Sequence, residues 1–213
     1  MVEGRLAHGY TNQSWLAGEL VVRQYQGVDA GVRLGVEVAA LARVAGVVPV
    51  PDVVKVDPVA ARVAMTFVPG RHGQELIDEG RATQVLSAAG RTLRRLEEGV
   101  PGLVHGDFGP QNLLYDPESL EVRAILDWEC AHDGDRVEDL AWAEWIVRLH
   151  HPEAIQYLPA LFDGYGERPD WARRHDVMIQ RCSQLRDICV LNDDQTAACM
   201  WRSREQVTRS WRE

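Results

Sequence analysis

The chain has 213 residues, 46% of them hydrophobic and 26% charged, the balance of an ordinary folded protein with room for one compact unit or two unequal lobes. Its formal charge of -9, most of it carried after residue 126, argues against a nucleic-acid partner, because phosphate backbones need a basic face. The same acidic surplus reads equally well as a solvated surface or as a groove for a cationic small molecule.

The first ten residues, "MVEGRLAHGY", lack a basic-then-apolar signal pattern, and no apolar run reaches membrane-spanning length. The expectation is a cytoplasmic protein with no membrane partner. Cys130, Cys182, Cys189 and Cys199 form neither a C-x-x-C pair nor a closely spaced framework, so they read as reduced thiols. With Lys55 as the only lysine, any other cationic task falls to arginine.

In chain order, short strand-like pieces come first: "GRLAH", a polar turn "GYTNQS", "WLAG" and "ELVVRQYQG". From Val32 to Ala45 the apolar residues Leu34, Val38, Leu41, Ala42 and Ala45 recur at helical spacing, with Gly46 as the stop. The prolines of "VPVPDVVKVD" demote its first half to an edge or loop before a strand. A further strand, "ARVAMTFV", ends at Pro69-Gly70, a turn that sets the expected boundary between lobes 1–70 and 71–213.

Beyond it "ATQVLSAAGRTLRRLEE" is one amphipathic helix carrying Val85, Leu86, Ala89, Leu93 and Leu96 on its apolar face. "NLLYD" and "EVRAILDW" flank "DPES" and predict a hairpin. The remainder is helical: "VEDLAWAEWIVRLHH", a segment from Trp171 through Met178, Cys182, Leu185 and Ile188, and "AACMWRSREQVTRSW". Strands, one helix, more strands and then helices point to an α+β fold with two lobes.

The chemistry concentrates around that hairpin. In "VHGDFGPQNLLYD" Asp107 precedes Asn112 by five residues on a loop without helical period, and the hairpin returns the chain to Asp127 beside Asn112. An amide oxygen and a carboxylate at one hairpin mouth suit magnesium, which takes hard oxygen ligands and completes its shell with water and phosphate. Asp107, on the loop feeding that mouth, is placed to take a proton from an attacking hydroxyl. The order Asp-x-x-x-x-Asn, hairpin, Asp is what a kinase-type site requires. Each residue alone reads better as an Asx-turn or a solvated loop residue.

"VHGDFGPQNLLYD" together with "AILDWECAHDGDRVEDLAW" resembles the aminoglycoside phosphotransferase and choline kinase family, similar in fold to the protein kinases. The resemblance implies a two-lobed protein-kinase-like fold with a small β-rich N-terminal lobe and a mainly helical C-terminal lobe. It implies transfer of the γ-phosphoryl group of ATP or GTP to a small-molecule hydroxyl, with Asp107 as base and Asn112 and Asp127 holding Mg2+. Asp139 becomes the acceptor that ties down the catalytic loop's amides, and His105 a brace for that loop.

In the first lobe, "AHGYTNQSW" falls where the family has its phosphate-covering turn, so Thr11, Asn12 and Gln13 are expected near the nucleotide. Arg23 takes the place of the family's strand lysine, with Glu37 as partner. Arginine's planar fork differs from lysine in reach and geometry. "MTFVPG" resembles the linker, where Thr66 and Val68 would meet the base. Glu144, Trp145, His150, His151, Asp163 and Tyr165 are candidates for the acceptor wall.

The acceptor could be an aminoglycoside or other antibiotic, which the acidic second lobe favours as a cation, or a metabolite such as an amino alcohol or sugar. The competing reading is a nucleotide-binding module of the same fold without catalysis.

Overall fold

The computed structural model describes residues 12–213. The expected strand "GRLAH" and Thr11 lie outside the described residues. Two strands, β1 (Gln13–Ala17) and β2 (Leu20–Gln24), open the fold. Helix α1 (Ala30–Val44) follows, then β3 (Val53–Asp57) and β4 (Arg62–Thr66). These strands form an antiparallel sheet in the order β1-β2-β4-β3, with β3 on the edge that its upstream prolines predict.

Helix α1 departs in an informative way from its sequence stripe. Leu34, Ala40, Leu41 and Val44 are buried as a helical face requires, but the fifth member of that face is Glu37. Ala42 and Ala45, counted as apolar face by spacing, are exposed. A buried carboxylate interrupts the hydrophobic period because it answers a cation on β2, and hydrophobicity alone cannot register that.

After the sheet come short elements, β5 (Arg71–His72) and α2 (Gly73–Asp78), and then the amphipathic α3 (Ala82–Gly99). On α3 Val85, Leu86, Ala89, Leu93 and Leu96 are all buried. β6 (Leu103–Val104) leads to the hairpin β7 (Leu113–Tyr115) and β8 (Val122–Ile125), and β9 (His132–Asp133) pairs back with β6. In the hairpin Leu113 faces Ile125 and Leu114 faces Ala124. Its turn is held by Asp116, whose carboxylate accepts the amides of Glu118 and Ser119 at 3.0 and 2.8 Å.

Four helices complete the chain: α4 (Val137–His150), α5 (Leu158–Tyr165), α6 (Trp171–Leu191) and α7 (Gln195–Ser210). The two-lobed α+β architecture, a small sheet lobe on a helical lobe, is the one expected. Helix α5 was not singled out in the sequence. Leu161, Phe162 and Tyr165 bury it against α3. None of the described helices is long and apolar enough to cross a membrane.

The α3–α5 contact depends on two glycines. A Cβ on Gly90 would stand 2.1 Å from the Leu161 carbonyl oxygen, and one on Gly164 2.2 Å from the Ser87 carbonyl oxygen. Backbone meets backbone there, with no flexible side chain to yield. Gly90→Ala is expected to lower stability by about 1–3 kcal/mol through overpacking. Denaturant unfolding checks this, and an unchanged midpoint would contradict the close approach.

Candidate active site

The loop that carries Asp107 runs from β6 through Gly106, at φ +81°, into a single 3-10 turn, Pro110–Asn112. At Gly106 a side chain would be strained by φ and would meet the Cys130 carbonyl oxygen at 2.4 Å, so glycine is obligatory. Asp139, in the first turn of α4, accepts the backbone amides of His105 at 2.7 Å and Gly106 at 2.9 Å. One fully buried carboxylate therefore satisfies both amides of the loop's tightest turn. Burial pushes the pKa of Asp139 up to about 6, with the two amides opposing the rise.

His105 fastens the same loop to the hairpin. Its Nδ1 accepts the Asp107 amide at 3.1 Å, which leaves Nε2–H to donate to the Leu126 carbonyl at 2.9 Å. Burial lowers its pKa to about 4, so the ring is neutral in that tautomer. It packs 4.5 Å from the Trp128 ring.

Asp107 keeps some solvent contact, yet its carboxylate is enclosed by named donors. Oδ1 accepts Trp142 Nε1–H at 2.8 Å, and Oδ2 accepts Asn112 Nδ2–H at 2.8 Å. Asn112 Nδ2 also donates to the Asp107 carbonyl at 2.9 Å, which locks the five-residue interval. Desolvation raises the Asp107 pKa to about 6, and the charge of Asp127 adds to it. The bonds from Trp142 and Asn112 and the charge of Arg181 hold the rise down.

The hairpin mouth is closed by the Leu126 amide donating to the Asn112 carbonyl at 2.8 Å. Asp127 comes next, in the left-handed region at φ 69°. Such a conformation is uncommon outside glycine and tolerated by aspartate. It begins a 3-10 turn, Trp128–Cys130, and turns the chain sharply at the end of β8.

Across the lobes, Arg23 Nη1 lies 2.8 Å from Asp127 Oδ1 and 3.1 Å from Glu37 Oε2. Burial by itself would lower the pKa of Arg23, but Glu37, Asp127 and Glu129 outweigh it and raise it, so the guanidinium stays charged. Burial pushes Glu37 up to about 7 against the pull of Arg23, and the Tyr25 hydroxyl donates to it. The Arg23–Glu37 pair was expected. The bond to Asp127, linking the sheet lobe to the hairpin mouth, was not.

Asn12 donates to Glu129 at 2.6 Å and accepts from Arg33 at 2.9 Å, while Arg33 also reaches Glu129 at 2.9 Å. The start of the sheet lobe is thereby clasped to the segment after Asp127. Gln13 begins β1 opposite Gln24 with an exposed side chain. Thr66 and Val68 line the cleft between the lobes, with Val21, Met65, Leu114 and Ile125 as its apolar walls and Arg23, Glu37 and Asp127 at its polar end.

Several candidates for the acceptor wall are elsewhere. Glu144 and Trp145 are fully buried, the first paired with Arg174 and Arg148, and Tyr165 is core. His151 is buried and paired with Asp78 at 3.1 Å. Reading the sequence missed Trp142 and Arg181. Trp142 was within reach of it, since three residues after Asp139 on a helix is the same face. Arg181 Nη2 donates to the Gly106 carbonyl at 2.9 Å from a helix far along the chain, which no local pattern signals.

Residues 96–177 match the phosphotransferase enzyme family, APH. Among curated proteins, 41 residues are 51% identical to acyl-CoA dehydrogenase family member 10 of Mus musculus, covering 19% of this chain and 4% of that protein. A stretch of 64 residues is 34% identical to a probable aminoglycoside 3'-phosphotransferase of Lactococcus lactis, covering 30% of this chain and 23% of that protein. The chain thus spans only a small part of the length of these curated relatives.

Similarity of fold extends over the whole chain. A thermostable mutant of aminoglycoside phosphotransferase APH(4)-Ia, in ternary complex with AMP-PNP and hygromycin B, superposes with a TM-score of 0.71. Its identity is 13%, and the match covers 97% of this chain and 92% of that one. A choline/ethanolamine kinase family protein from Mesorhizobium loti gives 0.67 at 17% identity, covering 99% and 89%. The resemblance to the aminoglycoside phosphotransferase and choline kinase family holds in the matched segment and in the fold.

The pKa of Asp107 yields a stability prediction. A carboxyl raised from 3.8 to about 6 contributes stability below its unfolded pKa and loses it as pH rises through 6. Asp107→Asn, which cannot ionise, is therefore expected to be more stable than the parent at pH 8, by at most about 3 kcal/mol. The difference should vanish near pH 4. Urea titrations at both pH values check it, and an equal gap at both would refute the burial cost.

Proposed function

We propose that the protein is a nucleoside-triphosphate-dependent phosphotransferase acting on a small-molecule hydroxyl, with ATP or GTP as donor. The observation that carries the reading is the meeting of Asp107, Asn112 and Asp127 at one hairpin mouth. Asn112 is bonded to Asp107 through its side chain and, through its backbone, to the residue before Asp127. The cleft above that mouth has apolar walls for a base and a charged end for phosphates.

Asp107 is the general base. The acceptor oxygen attacks the γ-phosphorus, a new O–P bond forms, and the bridging P–O bond breaks with its electron pair leaving on the nucleoside diphosphate. The hydroxyl proton passes to Asp107, whose pKa near 6 leaves it ionised at neutral pH yet basic enough to accept. The indole of Trp142 and the amide of Asn112 fix its two oxygens, so the base is oriented before substrate arrives.

Arg23 supports the phosphate chain and is itself held by Glu37. Asn12, Thr66 and Val68 are the remaining nucleotide contacts in this reading, and Asp139 and His105 keep the loop in place.

The residues at the mouth fit Mg2+. The amide nitrogen of Asn112 is spent on Asp107, so its amide oxygen is the atom that would serve as ligand, and Asp127 gives Oδ1 to Arg23. A hard-oxygen pair of this kind suits that ion. When bound, magnesium supplies the positive charge that neutralises the phosphate oxygens. Four free thiols fit a reducing compartment, the cytoplasm.

Asp107→Ala is expected to lower ATP-dependent product formation about 10²- to 10⁴-fold while nucleotide binding, followed by calorimetry, stays within a few fold. In the parent, kcat/KM should rise through pH 6 as Asp107 ionises. Retained turnover in the alanine variant would refute the assignment of the base.

A further inference from the structure

A cavity of about 450 Å³ lies between α4, α6 and the segment leading from β9. Its wall includes Gly106, the neighbour of Asp107, and Trp142, which hydrogen-bonds the Asp107 carboxylate. A molecule seated there is one side chain away from the base. The cavity is therefore the place for the acceptor if the phosphotransfer reading holds, and its charge pattern says what kind of acceptor.

Three carboxylates line it, and each is already spoken for. Asp135 pairs with Arg173 at 2.6 Å. Glu138 pairs with His132 at 3.0 Å and accepts the Asp135 amide at 2.8 Å. Asp139 spends both oxygens on the amides of His105 and Gly106.

Arg181 is different. It donates one bond to the Gly106 carbonyl and lies with its guanidinium carbon 5.9 Å from the Trp142 ring centre. Among the described residues it forms no ion pair, and its Nε–H is buried without a partner. An arginine has five N–H donors and cannot lose its proton. Among the described residues Arg181 is thus the arginine of this cavity with no carboxylate in ion-pair contact, and it sits at the end nearest the Gly106 carbonyl. Gln180 and Gln184, one and three residues from it on the same helix, add neutral hydrogen-bonding groups.

We propose that this cavity is the acceptor subsite and that Arg181 anchors an anionic group, carboxylate or phosphate, of a hydroxyl-bearing acceptor. The proposal deepens the phosphotransferase reading and rests on it. It also runs against the cationic acceptor that the net charge favoured, because the carboxylate oxygens facing this cavity are already engaged by Arg173, His132 and backbone amides. Bidentate pairing with guanidinium would fix the anion beside the loop and turn a hydroxyl of the same molecule toward Asp107.

The test uses the full chain without nucleotide and four sugars of similar size and different charge: glucuronate, glucose 6-phosphate, glucose and glucosamine. Binding is followed by isothermal titration calorimetry. The expected result is at least tenfold tighter binding of one anionic sugar, or both, than of glucose or glucosamine. The two anions show whether carboxylate or phosphate is preferred. Arg181→Gln should erase the preference, and Arg181→Lys, which keeps the charge, should retain part of it.

No preference for an anion, including no binding of any of the four sugars, overturns the proposal, and so does a preference for glucosamine. Should Arg181→Gln fail to fold, the comparison of sugars on the unaltered chain decides. Adding MgATP separates the two readings. Arginine-dependent anion binding without a phosphorylated product would leave the subsite standing and remove the phosphotransfer. Turnover of glucosamine in preference to glucuronate would do the reverse.

Discussion

One carboxylate, Asp139, holds the two amides of His105 and Gly106, and the placement of the loop that carries Asp107 depends on that grip. A loop turning through φ +81° has backbone donors that neither a helix nor a sheet can satisfy, and leaving them unpaired in the interior is costly. Anchoring them to the first turn of α4 fixes where Asp107 sits relative to Trp142 on the same helix. His105 then carries the constraint across to the hairpin through Leu126, so loop, helix and hairpin mouth become one rigid unit. Rigidity of this kind is what allows a base to be aimed before its substrate is bound.

Burial is the second theme, because it acts on charged groups of both lobes in the same sense. Asp107, Asp139 and Glu37 are all pushed up by desolvation, to about 6, 6 and 7. They are tolerated because each has donors around it: an indole and an amide, two backbone amides, an arginine and a tyrosine. The molecule thereby stores unfavourable ionisation where a site needs tuned carboxylates. Arg23 belongs to the same economy, held charged between Glu37 and Asp127 and joining the sheet lobe to the hairpin mouth.

The hairpin was legible because the Asp116-Pro117 turn between two short segments is a local signal, and so was α3, whose apolar residues recur at helical spacing. The order Asp107, Asn112, Asp127 was readable because the hairpin's register brings its two ends together. Two-residue strands such as β5, β6 and β9 carry no period and could not be read. The buried face of α1 was misread at Ala42 and Ala45 because a carboxylate occupies part of it.

Contacts that define the site across long separations, Arg23 to Asp127 and Arg181 to Gly106, have no sequence signature at all. They exist only because the two lobes and α6 pack where they do.

The central claim is that Asp107 is a desolvated carboxylate poised as a base. The most direct measurement is the titration of its carboxyl carbon by 13C nuclear magnetic resonance in the unliganded protein, assigned by comparison with Asp107→Asn. A midpoint near pH 6 is the predicted result. A midpoint near 4, the value of a solvated aspartate, would show that the carboxylate is not enclosed as described and would contradict the account.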